Sequence, residues 1–286
     1  MMSSSQSRYQ GYADLHTHSY HSDGKEAPET VAIKAAEKGL SGLALTDHDT
    51  MDGVPEAQAK SSELGLRFMP GVEMSTVKGN TEVHILGYFP NEPGKRFLEV
   101  IDGMKQLRFD RMQRMIGSLN NLGCPIEEDF VLSYKGKGVV GRAHLFRAIK
   151  DRFSGEFDEK ANKWLNIGGA AFEPTSDLSP ADAIGCIREG GGVPVIAHPG
   201  TSGADPLLKE LVEAGLMGIE AIYPRHDRSS KARYRKFAKQ HGLIVTGGSD
   251  WHGEFDPVGI YHAGAVGTAK VLIEVMDEIE GLAQKS

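Results

Sequence analysis

Short apolar runs recur along this chain between longer amphipathic stretches, and most of the runs give way to histidine or carboxylate at their ends. Tyr12 to Thr17 is the first, too short for a helix and therefore a predicted strand, with His16, His18, His21 and Asp23 crowded into its end and the turn behind it. Residues 28–39 carry Pro28 in the first turn, Val31, Ile33, Ala35 and Ala36 at roughly helical spacing and Gly39 at the stop, which together mark a helix. Gly42 to Leu45 predicts a buried strand leading to Asp47, His48 and Asp49, and a helix is expected at about 54–64. Residues 66–76 predict a strand with Glu73 near its end, and 82–89 alternate around His84 as a strand does. Later, Val193–Ala197 leads to His198, Gly218–Ile222 holds Glu220 and leads to His226, and Leu243–Thr246 leads to Asp250 and His252. Helices are expected between and after them at roughly 204–215, 229–241 and 268–283. Strand and helix in alternation, with right-handed crossovers, predict a parallel sheet or barrel whose strands all end on one face. Five separated polar clusters are then expected at one mouth.

The alternation stops between Phe89 and about Ser179, where a polar, helix-rich segment intervenes. The expected organisation is a disordered leader over 1–10, a barrel domain from 11–90 and 180–286, and a helical insertion, a lid or subdomain, over 91–179. Residues 94–122 hold apolar positions at helical spacing together with Lys105, Arg108, Arg111 and Arg114, a basic run that reads as a solvated helix face. Trp164 is expected to pack rather than to bind.

Composition narrows the class. With 286 residues, 40% of them hydrophobic and 25% charged, the chain can bury a full core. The first residues lack an apolar leader core and no run approaches the roughly 18 apolar residues of a membrane span, so a cytoplasmic location and no membrane partner are expected. Cys124 and Cys186 are the two cysteines, in separate segments, which argues against a disulfide framework or a thiolate zinc site. A metal would therefore be held by nitrogen and oxygen. The net charge of −7 argues against broad binding to a nucleic-acid backbone. An anionic substrate is still allowed, because metals and a few arginines can make one cleft positive.

A lone His-x-His is weak evidence of a metal site; recurrence of imidazole beside carboxylate at successive strand ends is strong evidence. By the same standard His21 is expected in solvent, His241 and His262 at the surface or in packing, and Glu220 as a brace. The glycines 190–192 end a helix, and no Walker pattern is present.

The runs DLHTHSYHSDG, LALTDHDT, GVE, VHILGY, VIAHPG and GGSDWHG, in that order, resemble the motifs of the PHP (polymerase and histidinol phosphatase) superfamily of metal-dependent phosphoesterases. Within it the chain is most similar to small bacterial members acting on nucleotides, the 3′,5′-nucleotide bisphosphate phosphatases and related 5′-to-3′ exoribonucleases. The resemblance implies an α/β fold, a distorted seven-stranded (β/α) barrel with a helical insertion, holding three divalent ions, manganese favoured and iron or zinc also suited. It implies that His16, His18, Glu73 and Asp250 hold the first ion, that Glu73 bridges to a second completed by His84 and His198, and that Asp23, His48 and His252 take the third. Some members carry histidine where this chain has Asp23, and an added carboxylate shifts preference toward a harder ion. The run VGRAHLFR resembles the one by which the insertion delivers phosphate-binding groups, implicating Arg142 and His144, with Ala143 where proline is common. His226 resembles a phosphate ligand or general acid.

The activity implied is removal of the 3′-phosphate from a nucleoside 3′,5′-bisphosphate by a hydroxide bridging two ions, with short 5′-phosphorylated RNA as a further substrate. Alternatives are a phosphatase or cyclic phosphodiesterase for another small metabolite such as histidinol phosphate, and, remotely, a non-catalytic metal-binding module. The last would predict missing ligands, and none is missing.

Overall fold

The computed structural model describes residues 10–153, 155, 157–174, 178–253 and 264–285; almost all of the expected leader, and His262, lie outside them. Strands β1 (Tyr12–Asp14), β2 (Gly42–Leu45), β3 (Arg67–Lys78), β4 (Thr81–Tyr88), β5 (Val193–Ile196), β6 (Gly218–Ile222) and β7 (Ile244–Gly247) follow one another around a single sheet in chain order, and a short β8 (Val271–Leu272) pairs with β1. The ring closes just past β1 and β7. There the Leu15 N–H donates to the Gly247 carbonyl at 3.2 Å and the His18 N–H to that of Trp251 at 2.9 Å, and Thr17 bridges Trp251 in parallel. The fold is thus the expected α/β barrel.

Helices α1 (Pro28–Glu37) and α2 (Val54–Glu63) follow the first two strands. Then α3 (Lys95–Asn121), α4 (Glu128–Leu132), α5 (Arg142–Phe153) and α6 (Asp158–Leu165) come between β4 and the rest of the barrel, and α7 (Pro180–Glu189), α8 (Pro199–Ser202), α9 (Leu208–Glu213), α10 (Arg228–His241) and α11 (Glu274–Ala283) complete it. Local chemistry sets these limits. Helix α1 opens on Pro28, whose missing N–H has no partner to lose, and it buries Val31, Ala32 and Ala35 at three- and four-residue spacing. Helix α10 opens on Asp227, which accepts the Ser230 N–H at 2.7 Å, and stops at Gly242 with φ of 66°.

Three expectations need correction. Strand β4 runs antiparallel to both β3 and β5, so His84 reaches the mouth from the early part of its strand, opposite Ser75, and not from a strand end. A two-residue link, Gly79–Asn80, joins β3 to β4, which leaves no room for the long crossover a parallel pair needs. The helix expected over 204–215 is shorter, because Asp205–Leu207, with Pro206, form a 3-10 turn and α9 covers only Leu208–Glu213. The last helix starts at Glu274, and residues 271–272 form β8 instead.

Helix α3 joins two apolar clusters. Its first half places Phe97, Ile101 and Met104 with Val72, Ile85, Ile187 and Ile196 of the barrel. Its second half places Met112, Met115, Ile116 and Leu119 with Leu145, Ile149 and Leu165 of the intervening helices. Trp164 packs at the edge of this second cluster, as expected. Arg108 and Arg111 lie between the two clusters, on the same buried stripe.

Candidate metal centre

Each ring strand delivers its polar residues to one mouth, and three of them do so through strained backbone. Asp49, His198 and Asp250 have φ of 51°, 28° and 53°, values that non-glycine residues adopt at a cost of about 1–3 kcal/mol and that cluster at functional sites. The imidazole Nε2 atoms of His16 and His18 face each other at 3.1 Å. His16 Nε2 lies 3.2 Å from Glu73 Oε2 and 3.4 Å from Asp250 Oδ1, and His18 Nε2 lies 3.2 Å from each of the same oxygens. Ligand atoms set tetrahedrally about 2.0–2.2 Å from an ion are about 3.3–3.6 Å apart. This group therefore has the edge lengths of a small coordination shell, and its all-nitrogen-and-oxygen donor set suits zinc, manganese or iron.

Glu73 is fully buried and divides its oxygens between two sets. Oε2 faces His16, His18 and His48 Nδ1, the last at 3.2 Å; Oε1 faces His84 Nδ1 at 2.9 Å and His198 Nε2 at 3.0 Å. A further group forms from His18, Asp23, His48 and His252, with Asp23 Oδ1 3.2 Å from His252 Nε2 and the rings of His18 and His252 stacked at 4.0 Å. The structure thus brings all nine expected ligands together, and His18 and His48 each face two groups.

Electrostatics shows what such a cluster needs. Burial alone would depress His18, but hydrogen bonds to Asp250 and Glu73 outweigh it and push the imidazole up to about 10. Burial likewise works against ionising Glu73, yet the surrounding His48, His16 and His84 hold it well below the usual carboxylate range. The carboxylates therefore demand positive charge at their centre, which protons or metal cations can supply.

Neighbouring groups fix the orientations. Glu220 accepts from the His198 backbone N–H at 2.8 Å and meets His16 Nδ1 at 2.9 Å, which leaves His16 Nε2 free to face the centre. Glu220 thus holds two histidines of the centre, where the sequence offers it as a cap or brace of the barrel. Tyr223 donates to Asp250 Oδ2 at 2.9 Å. Asp47 accepts from the Ser19 N–H and Oγ at 2.7 Å each and from Ser22 Oγ at 2.6 Å, tying the turn that carries Asp23.

The same turn is held from outside by the segment before α5. The Val139 N–H donates to the His21 carbonyl at 2.8 Å, and Arg147 donates to the Asp23 carbonyl at 2.8 Å. Gly136 and Gly138 permit this approach: a Cβ at Gly138 would stand 1.6 Å from the His21 oxygen, and one at Gly136 would stand 2.5 Å from that of Tyr20. His21 is consequently buried with Nε2 3.4 Å from Glu56, not in solvent as its polar surroundings in sequence suggest.

A cleft above the ligand groups is lined by Arg108, Arg111 and Arg142, by Ser75 and Glu82, and by Thr201, Tyr223 and Arg225. Arg142 lines this cleft and donates to Glu82 at 3.0 Å. Arg108 and Arg111 correct the reading of α3 as solvated. Arg108 donates to Asp49 at 2.6 Å and to Ser75 at 2.8 Å; Arg111 donates to the Glu173 carbonyl at 2.7 Å with its Nη2 3.5 Å from Glu82. Lys105 and Arg114 do point outward, toward Asp52 and Glu173. The signal was in the periodicity: Phe97, Ile101, Met104, Arg108, Arg111 and Met115 make one stripe, and the two arginines occupy core positions of it.

His226 and His144 do not line the cleft. His226 is buried, with Nδ1 3.2 Å from the Ala221 carbonyl and Nε2 accepting the Gly200 N–H at 3.2 Å, so backbone engages both ring nitrogens. His144 Nδ1 accepts the Gly141 N–H at 2.8 Å, reaching back from the third helical position as a capping-box side chain does. Burial pulls this imidazole down to about 4. A depressed histidine stabilises the fold above its unfolded pKa of about 6.5, and that stability is lost as pH falls toward about 4; the shift corresponds to about 3 kcal/mol. Urea unfolding of His144→Gln, which keeps an acceptor without titrating, should lose about that much less between pH 7 and pH 4 than the unaltered protein. Parallel losses in both proteins would contradict the neutral cap.

The PHP domain profile matches residues 14–170. A phosphoribosyl 1,2-cyclic phosphate 1,2-diphosphodiesterase of Eggerthella lenta is 31% identical over 86% of this chain and 95% of its own length. A 3′,5′-nucleoside bisphosphate phosphatase of Chromobacterium violaceum is 34% identical over 84% of this chain and 86% of its own. A protein of Bifidobacterium adolescentis assigned as a metal-dependent phosphoesterase superposes with a TM-score of 0.81 at 29% identity, over 93% of this chain and 94% of its own. Convergent nitrogen and oxygen ligands beneath an arginine-lined cleft agree with these relatives, and the chain belongs to the PHP domain family as a metal-dependent hydrolase of phosphate esters.

Proposed function

We propose that this cleft removes the 3′-phosphate of nucleoside 3′,5′-bisphosphates. The observation that carries the reading is the pairing of convergent ligand groups on the floor with buried arginines on the wall, a site built for a phosphate ester rather than for a carbonyl. His16, His18, Glu73 and Asp250 would hold one ion, Glu73, His84 and His198 a second, and Asp23, His48 and His252, with His18 beside them, a third. Manganese is favoured because Asp23 adds an oxygen donor, with iron or zinc also suited. Divalent ions in such a set supply Lewis acidity and an activated water near neutral pH.

This chain's own groups do the rest. Arg111 and Arg142 direct N–H donors at the nonbridging oxygens, where charge grows as the ester is attacked. Glu82 keeps both guanidinium groups in the cleft before substrate arrives, and the two arginines in turn hold it below the usual carboxylate range despite its burial. Arg108, fixed on Asp49 and Ser75, forms a rigid part of the cleft wall beside them. His144 and His226 shape the surrounding loops. The Chromobacterium relative supports a bisphosphate substrate, and no helix among the described residues is long and apolar enough to cross a membrane, which is compatible with a cytoplasmic location.

The test is a turnover screen of the manganese-loaded protein on 3′-phosphoadenosine 5′-phosphate, histidinol phosphate, a ribose 1,2-cyclic phosphate and short 5′-phosphorylated RNA. The bisphosphate should exceed histidinol phosphate in kcat/KM by about a hundredfold or more, the scale available to a site that binds a second polar group. Equal turnover of the two, or a clear preference for the cyclic ester, sinks the reading.

A further inference from the structure

The cleft above the ligand groups continues into a second cavity of about 590 Å³. The two share Glu82, His84, Arg142, His198, Thr201 and Arg225, so they meet along one open seam. Beyond the seam the walls change character: Phe146 of α5, Asn162 of α6 and Asn166 and Ile167 just after it replace the charged groups. Apolar surface with a few amides suits a ring system carrying polar edges, which is how ligand pockets orient such molecules.

Arg225 differs from the other arginines of the cleft. Arg108 is committed to Asp49, and Arg111 and Arg142 share Glu82. Arg225 is exposed, stands on the turn between β6 and α10, and makes no hydrogen bond or ion pair with another side chain among the described residues. Two residues earlier, Tyr223 is anchored to Asp250, so the turn is tied to the ligand groups. A guanidinium without an ion-pair partner among the described residues is thereby placed where the two cavities join.

We propose that Arg225 binds the second, non-reacting phosphate of the substrate while the nucleoside lies in the outer cavity. The proposal rests on the bisphosphate reading and deepens it by naming a residue that distinguishes two phosphates from one. A planar guanidinium with no side-chain partner among the described residues gives up no such contact when it engages phosphate, and its fork matches two phosphate oxygens at once. Arg142 is less suited to this task because it must leave Glu82 first.

The experiment compares Arg225→Gln with the unaltered protein on 3′-phosphoadenosine 5′-phosphate and on adenosine 3′-monophosphate, which lacks the 5′-phosphate. KM for the bisphosphate should rise about 10- to 100-fold with kcat little changed, the scale of one charged hydrogen-bonding pair, and the monophosphate should shift far less. Arg225→Lys should recover part of the loss, since it keeps the charge but not the fork. Equal effects on both substrates, or none on either, overturn the assignment. Calorimetric binding of adenosine 5′-monophosphate supplies a readout independent of turnover: Arg225→Gln should weaken it by a similar factor, and unchanged affinity counts against Arg225. Absence of bisphosphate turnover in the unaltered protein would defeat the proposed function, while the calorimetric comparison would still decide whether Arg225 holds a phosphate.

Discussion

Glutamine in place of Glu73 is expected to strip metal from the protein and to lower phosphate ester turnover by more than about a hundredfold, the most that losing an outer-shell partner commonly costs. The reason is the number of groups that one carboxylate serves. Its two oxygens stand within hydrogen-bonding reach of His16, His18, His48, His84 and His198, and none of the carboxyl group is exposed. Glutamine preserves the shape while removing the charge, and its amide nitrogen can ligate no cation on the side it faces. Whichever oxygen is replaced, one of the two ligand sets loses an oxygen donor and both lose the charge of the shared carboxylate, which leaves the set of His84 and His198 with no anionic member. Elemental analysis after exhaustive dialysis should show fewer ions per chain, and thermal unfolding in chelator should show the variant still folded. Full metal content with full activity would remove Glu73 from the bridging position.

The second large effect is expected on α3. Methionine at Arg111 should cut kcat/KM by about a hundredfold, as losing one donor to a developing anion does, whereas Arg114→Ala should stay within about twofold. Arg111 is buried, and burial with the pull of Glu82 working against it brings its guanidinium down only to about 9, so it remains charged at neutral pH. Arg114 is three residues on, exposed, and engaged with Glu173 at the surface. Both variants alter the charge of the same helix by one, so a general electrostatic effect would move them together. Similar losses from both would mean that the cleft senses net charge and not a donor at Arg111.

Much of this arrangement is legible in the amino-acid sequence. Gly42–Leu45 and Gly218–Ile222 are strands with the expected limits because short buried strands are mostly apolar runs bounded by polar or turn residues, with Glu220 the one charged position inside the second. The convergence of His16, His48, Glu73, His198 and Asp250 followed from topology, since parallel strands of a barrel finish on one face. What escaped depended on information that sequence spacing does not carry. The direction of β4 is set by a two-residue link that could be recognised only once both strands were known to be long. His226 follows a strand like the clustered histidines do, but whether its ring turns toward the mouth or back to Ala221 is decided by the backbone of the turn. Arg108 and Arg111 were visible in the stripe of α3, yet a stripe shows only which face is buried, not that it is buried against a polar cleft.

The glycines at 136 and 138 have a consequence for how this protein can be recombined. Because the backbone before α5 lies directly on the carbonyls of Tyr20 and His21, the turn bearing Asp23 and the segment facing it behave as one unit, although they are far apart in sequence. Chimeras that exchange the intervening helices between relatives, to transplant substrate preference, should work when residues 20–24 travel with the donor helices. Those that move the helices alone would join mismatched surfaces at the turn that carries Asp23, and they should lose metal retention before they lose the barrel.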